Sequence, residues 1–220
     1  AYQIVISGNS GPIWDSGKQK RDNQQGISYE GNELERGKRY FAKVRVWNID
    51  DNKSNWSRTI RFLVPLDYPE DWIADWITYD YHPFSALPLF RTAFVIDVKK
   101  RIEYARLYIS APGFYEAWLN GKKIGKNVLD PGQTNYEDYA FYTVYDIDPD
   151  LINDENVLGI MPGNGWYNQN VVWNEKRSYG QPVVIGQLMI HYKDGQRQVI
   201  TSDENWKWKN GPITFSNIYG

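Results

Sequence analysis

The sequence contains no cysteine, which excludes disulfide frameworks and thiolate metal sites. Histidine is nearly absent too. A histidine-based zinc site, a Ser-His-Asp triad or a histidine phosphorelay would have to use His82 or His191. His191 alternates within "QLMIHYKDG" and reads as an outward strand residue, while His82 precedes Pro83 in a loop. No apolar run approaches the roughly 20 residues of a helical membrane span. Basic runs are missing as well. Lys and Arg number 25 against 27 Asp and Glu, so a nucleic-acid footprint is not supported. "GNGWYN" lacks the third glycine of a phosphate-binding loop, and no helix follows it. No leader peptide is evident. The chain opens on the strand-like "AYQIVIS", which reads as the start of a fragment.

What the sequence does have is aromatic residues, 16% of 220, with 10 Trp and 17 Tyr. Large rings suit strands and fill cores built from short ones. Flat rings also stack on the C–H faces of sugars. Periodic segments alternate with period two nearly throughout. In "RYFAKVRVW", Tyr40, Ala42, Val44 and Val46 oppose Phe41, Lys43, Arg45 and Trp47. "AYQIVIS" and "TIRFLV" read the same way, separated by the turn clusters "SGNSGP", "WDSGKQ" and "NIDDNKSN". This first part suggests a small fibronectin- or immunoglobulin-like sandwich, shorter than the roughly 100 residues such domains use, so its first strands are expected to be missing.

"PLDYPEDW" (65–72) reads as a linker, after which a larger unit begins at "ADWIT". Its expected strands are 89–96, 103–110, 115–119, 122–126, 140–145, 156–161, 182–192 and 197–202. "NG" at Asn120–Gly121 and "DG" at Asp194–Gly195 predict type I′ hairpins. "DPDLINDEN" is a short turn before a strand. The fold class is therefore all-β: a partial fibronectin/immunoglobulin-like sandwich followed by a jelly-roll-like, galactose-binding-like β-sandwich.

Two acidic patterns could carry chemistry, a calcium loop and a carboxylate pair. "NIDDNKSNW" lacks the glycine and glutamate of a calcium loop and reads as a solvated hairpin. Glu116, Asp130, Glu137, Asp138 and Glu175 lie near turns or strands, without a context that marks a general acid. More specific is "GFYEAWLNGKKIGKNVLDPGQTNYE" (113–137), which joins a strand, an Asn-Gly turn and a short strand to "LDPGQTNY". "YDIDPDLINDENVLGI" (145–160) completes the pattern with a crossover and an E-N strand.

On these segments, together with "IWDSGK", "DWIADWI", "PLFRTAF", "LGIMPGNGWYN" and "GPITFSNIYG", the chain resembles the N-terminal non-catalytic region of bacterial α-L-rhamnosidases. The resemblance implies a fibronectin type III-like domain over 1–66 and the family's amino-terminal β-sandwich over 67–220. It implies a parent enzyme that releases terminal α-L-rhamnose with inversion from a later (α/α)-barrel. That barrel would be this chain's partner, with rhamnose-containing glycans as a further one. No catalytic, cofactor or metal residue is carried over. Some members insert a calcium-dependent rhamnose-binding module before "PLFRTAF", but "TYDYHPFSALP" is too short to hold one. By analogy with exported members, a periplasmic or extracellular setting is favoured. The alternatives are a free-standing carbohydrate-binding module and the sugar-binding domain of a β-galactosidase-like hydrolase.

"GNGWYNQNVVWN" (163–174) has neither strand nor helix periodicity and reads as a loop rich in aromatics and asparagines. Three readings are open for it. Trp166 and Tyr167 cap the sandwich core, or they anchor the loop to the barrel. In the third, Trp166 or Trp173 stacks on sugar while Asn164 and Asn168 bond hydroxyls. Asn164, Trp166, Tyr167, Asn168 and Trp173 are thus the candidate docking or sugar-stacking residues.

Overall fold

The computed structural model describes all residues except 22–24, 81, 83–85, 98, 173–174 and 218–220, and describes 170–172 and 175–177 by backbone only. The chain forms two compact units, Ala1–Trp72 and Ile73–Gly220.

The first unit carries a four-stranded antiparallel sheet in the order β2-β1-β3-β4. Its strands are β1 (Tyr2–Gly8), β2 (Gly11–Asp15), β3 (Arg39–Val46) and β4 (Ile60–Leu63). β2, only five residues long, bridges two stretches that read as turn clusters, "SGNSGP" and "WDSGKQ". Pairing of β1 with β3 runs from Tyr2↔Val46 to Ser7↔Phe41. The acidic loop after β3 is a hairpin connection. Asn48 Oδ1 accepts the Asn52 N–H at 2.8 Å, and Asp51 pairs with Lys18. The "PLDYPEDW" segment ends in a 3-10 turn (Pro69–Asp71) within this unit. Arg36 donates to Asp71 at 3.1 Å and lies over the Tyr68 ring at 3.9 Å.

The second unit is a two-layer sandwich. One layer is ordered β15-β5-β10-β7-β8, the other β14-β13-β6-β9. The first layer comprises β5 (Pro88–Val95), β7 (Phe114–Leu119), β8 (Lys122–Lys123), β10 (Glu155–Gly163) and β15 (Lys207–Asn210). The second comprises β6 (Ile102–Ser110), β9 (Thr143–Ile147), β13 (Ile185–Tyr192) and β14 (Arg197–Thr201). A separate hairpin pairs β11 (Asn168–Val172) with β12 (Glu175–Ser178). The inward residues of both layers form one core that includes Phe90, Leu107, Leu119, Ile160, Leu188 and Ile190. The expected alternation is plain in β7, where Tyr115, Ala117 and Leu119 are buried and Glu116 and Trp118 are not.

Several local expectations hold and several need correction. Asn120 (φ 51°) and Gly121 (φ 78°) both adopt the positive φ of a type I′ turn. At Asp194–Gly195 only Gly195 (φ 84°) does so. The Gly195 N–H bonds the Tyr192 carbonyl and the Tyr192 N–H bonds the Gln196 carbonyl, which makes a three-residue loop with a bulge. The strand expected over 122–126 stops at Lys123. That expected over 140–145 begins at Thr143 and runs to Ile147.

The L-N-G and E-N motifs meet in space. Asn120 Nδ2 donates to Asn156 Oδ1 at 2.9 Å and to the Leu151 carbonyl at 2.8 Å. Asn156 closes the circuit by donating to the Asn153 carbonyl and accepting the Asn153 N–H at 2.8 Å. The half-buried Asn120 and the buried Asn156 thereby tie the β7–β8 turn to the crossover that starts β10, satisfying polar groups that burial would otherwise penalise. Asp148 caps the 3-10 turn Pro149–Leu151 by accepting the Asp150 N–H.

Candidate functional site

The "GNGWYN" stretch is not one long loop. β10 runs through Gly163, a turn covers 164–167, and β11 begins at Asn168. The glycines have a steric cause. Gly113, in the β6–β7 turn, packs directly on Gly163–Gly165. A Cβ on Gly113 would lie 2.5 Å from the Gly163 carbonyl oxygen. A Cβ on Gly165 would lie 2.6 Å from the Gly113 Cα. Both adopt positive φ, 98° and 46°, so any side chain is excluded by backbone and by space together.

On this fixed backbone, the two asparagines turn inward. Asn164 Nδ2 donates to the Ser216 carbonyl at 3.0 Å, and the Asn164 carbonyl accepts the N–H groups of Tyr167 and Asn168. Asn168 Nδ2 donates to Asn164 Oδ1, and Asn168 Oδ1 accepts from Ser178 Oγ at 2.8 Å. Both are buried, so their hydrogen bonding serves the fold.

The rings do not join the core. Trp166 and Tyr167 are half-buried, and neither is among the residues packed against the buried cluster. Tyr167 instead belongs to a triad with Tyr136 and Tyr179. Tyr136 meets Tyr167 edge-on at 5.3 Å and Tyr179 at 5.4 Å, while Tyr167 and Tyr179 are stacked at 6.0 Å. Tyr136 Oη accepts the Gly113 N–H, linking the triad to the glycine contact. Burial pushes the phenols of Tyr136 and Tyr167 up from their ordinary range. Trp173 lies outside the described residues. Tyr136, Tyr179, Ser178 and Gly113 were not singled out by sequence reasoning. The first and last sit in "LDPGQTNYE" and "SAPGFYE", and a glycine before an aromatic at a strand start is the signal that marks such a close approach.

Further rings near this part of the chain are exposed. Tyr139 and Phe141 contact each other edge-on at 5.5 Å and are 56% and 49% exposed. Tyr179 and Phe215 are exposed as well. Asp130 accepts from Tyr145 Oη and from Asn127, and Tyr115 Oη donates to Tyr145 Oη at 3.2 Å. Two of the other acids are also partnered. Glu116 pairs with Lys123, and Asp138 accepts from Asn135 at 2.7 Å. Glu137 has a solvated backdrop, and the side chain of Glu175 lies outside the described residues. His191 stacks on Tyr104 at 4.3 Å as a strand residue, and His82 is exposed beside Asp80. Among the described residues, no three His, Asp or Glu side chains gather as a metal site would require.

Comparison with known proteins locates this architecture. The "Alpha-L-rhamnosidase N-terminal domain" family matches residues 100–220, and the "Rha78A-like, N-terminal immunoglobulin domain" family matches residues 1–66. An α-L-rhamnosidase of Formosa agariphila is 36% identical over the whole chain, which covers 27% of that protein. Among solved structures, an α-L-rhamnosidase from Dictyoglumus thermophilum matches all of this chain and 26% of its own, with 40% identity and a TM-score of 0.83. One from Aspergillus terreus matches 99% of this chain and 26% of its own, with 28% identity and a TM-score of 0.87. The chain thus spans about a quarter of the length of these relatives, at the region where the two domain families lie. With more than half of its residues inside the first of those families, the chain belongs to the α-L-rhamnosidase N-terminal domain family.

Proposed function

We propose that this chain is the accessory amino-terminal region of an inverting α-L-rhamnosidase, and that it docks the catalytic (α/α)-barrel of the same polypeptide through the aromatic end of its sandwich. In this reading residues 1–66 are a fibronectin type III-like domain and 67–220 the β-sandwich domain that carries the contact. The observation that carries it is the exposed ring of Tyr179, stacked on Tyr167 of a turn held by direct glycine-to-glycine packing and meeting Tyr136, with the exposed Tyr139–Phe141 pair following Tyr136 closely in the chain. Aromatic groups on a rigid base, rimmed by polar groups, are what an interdomain contact uses. Trp166 and Tyr167 lie at the same end and supply further ring surface. A sugar-stacking role for this end is disfavoured, because Asn164 and Asn168 spend their amides on Ser216, Ser178 and each other.

The chain alone should release no L-rhamnose from p-nitrophenyl α-L-rhamnopyranoside, whereas the complete polypeptide should. Replacing Tyr139 and Phe141 together by serine should leave the chain's own melting temperature unchanged. In the complete polypeptide the same pair should lower both thermal stability and activity. Rhamnose release by the chain itself, or an indifferent double variant in the complete polypeptide, would sink this reading.

A further inference from the structure

The two outward faces of the sandwich differ. On the four-stranded layer, Arg106, Tyr108 and Gln187 point away from the core yet are only 3%, 1% and 1% exposed. On the five-stranded layer the outward face is open. Strand register places a straight row across it. Lys207 stands opposite Arg91, Arg91 opposite Gly159, Gly159 opposite Trp118, and Trp118 opposite Lys123. By the two-residue period of strands, Leu89, Lys209, Met161 and Val157 share this face. All of these except Lys123 line an open hollow of about 750 Å³.

Gly159 makes the hollow. A Cβ there would stand 3.7 Å from the Phe90 carbonyl oxygen, an ordinary contact, and the residue does not use positive φ. Neither packing nor backbone demands glycine, which strands otherwise disfavour. Its consequence is an empty place between the Arg91 side chain and the Trp118 indole. With strands roughly 4.8 Å apart, the two Cα atoms lie roughly 10 Å apart, room for one sugar ring between them. Arg91, Lys207 and Lys209 are exposed, and none has an ion-pair partner among the described residues. The one acid beside Trp118 on this face, Glu116, is already paired with Lys123.

We propose that this hollow binds a uronic-acid glycan, with a ring face against Trp118 and its carboxylate on Arg91, flanked by Lys207 and Lys209. An indole offers a flat apolar wall for the C–H face of a pyranose. A guanidinium offers a two-point fit to a carboxylate, and the lysines add point charge. An apolar partner would strand three cations away from water at a cost nothing here offsets. A neutral sugar would leave them unused. The site goes beyond the docking reading, lies on the outward face of the five-stranded layer rather than at the turn after β10, and stands or falls separately from it.

Titration of trigalacturonic acid into the 220-residue chain, with EDTA present and tryptophan fluorescence as a second readout, tests the proposal. Saturable binding is expected, weakening as salt rises. The same oligosaccharide with its carboxyls reduced to alcohols should bind at least tenfold more weakly. Trp118→Ala should cost at least tenfold. Arg91→Gln should abolish the preference for the acid over its reduced form. Gly159→Leu fills the hollow from its open side, so it should block binding with the melting temperature retained, and it serves even if Trp118→Ala fails to fold. Tyr139→Ser with Phe141→Ser should leave the titration unchanged, which separates this site from the docking end. Four outcomes would overturn the proposal: no saturable binding, indifference to Gly159→Leu, equal binding of a polyphosphate of matched charge, or binding by the chain that vanishes in the complete polypeptide because another domain covers the face.

Discussion

The two units follow the same period-two pattern and bury different amounts of it. In Ala1–Trp72 the buried apolar residues are Tyr2, Val5, Ile6, Tyr40 and Leu66, each still 6–8% exposed. In Ile73–Gly220, Leu107, Ile109, Leu119, Val184 and Ile190 are fully buried at 0%. Alternation marks one face of a strand as apolar, but only a second sheet laid against that face seals it. The second unit has that partner sheet. The first unit instead shows surface ladders. Lys43 and Arg45 lie over the Trp56 ring at 4.7 and 4.4 Å, and Lys18 and Arg45 over the Trp47 ring at 5.0 and 5.1 Å.

The largest expected effect tests whether that contrast is energetic. Leu107→Ala removes a fully buried side chain between two layers that cannot collapse onto the gap. It should cost about 4–5 kcal/mol, the upper part of the range for such truncations. Ile6→Ala acts on a side chain still 8% exposed, where neighbours can relax, and should cost about 2 kcal/mol. Denaturant unfolding of both variants measures the difference. Equal costs would mean that the first unit is as tightly packed as the second, and the contrast in burial would carry no energetic meaning.

The same contrast explains what could be read from the chain. β3, β6, β7, β10 and β13 were legible because their alternation exceeds five residues, enough to separate period two from chance. β15 (Lys207–Asn210) was not, because four residues with two lysines carry no hydrophobic pattern. β11 and β12 were not, because Asn168, Gln169 and Asn170 are polar on both faces. The Asn-Gly turn was legible because its φ requirement is local. The Gly113–Gly165 contact was not, because it joins positions far apart in the chain. At the candidate site, Asn164, Tyr167 and Asn168 do come together, but with Tyr136, Tyr179 and Ser178, which no local signal paired with them. The Lys207–Arg91–Gly159–Trp118 row needed the strand order itself, in which β15 adjoins β5 and β5 adjoins β10.

Alkaline pH offers a test of intermediate size. Burial raises the Tyr115 phenol to about 12, against about 10 for an unfolded chain. Burial also raises Tyr145, and its donation to the Asp130 carboxylate adds to the effect. Below pH 10 both states keep the proton and the stability is fully present. Between about pH 10 and 12 the unfolded chain ionises first, so Tyr115 by itself should lower stability by about 2–3 kcal/mol as pH rises through that window, with Tyr145 adding to the loss. Tyr115→Phe should start less stable, having lost its bond to Tyr145, and should show a flatter slope over that window. An unchanged slope would place the alkaline loss elsewhere, with the raised phenols Tyr29, Tyr108, Tyr136, Tyr167 and Tyr192 next in line. Tyr29 is the one among these that lies in the first unit, so an alkaline loss traced to it would break the contrast rather than sharpen it.

The smallest effect is the one that speaks most directly for the first unit. Arg45 lies over two indoles, and its Nε donates to Gln3 Oε1 at 2.8 Å, while Gln3 Nε2 donates to Asp15. An exposed cation over a ring contributes about 0.5–1 kcal/mol, and a ladder of them amounts to a surface substitute for a second layer. Arg45→Met keeps much of the apolar stem while removing the charge and its hydrogen bond, so it should cost about 1–2 kcal/mol at low salt. Lys43→Met should cost no more than about 1 kcal/mol, because it loses a single cation–ring contact. If the Arg45 cost arises in the ladder, the double variant Arg45→Met with Trp56→Leu should cost less than the two single variants added together. Strict additivity would mean that the Trp56 ring and the cations of β3 act independently, and the first unit would then owe its fold to the β1–β3 pairing and its five buried apolar side chains.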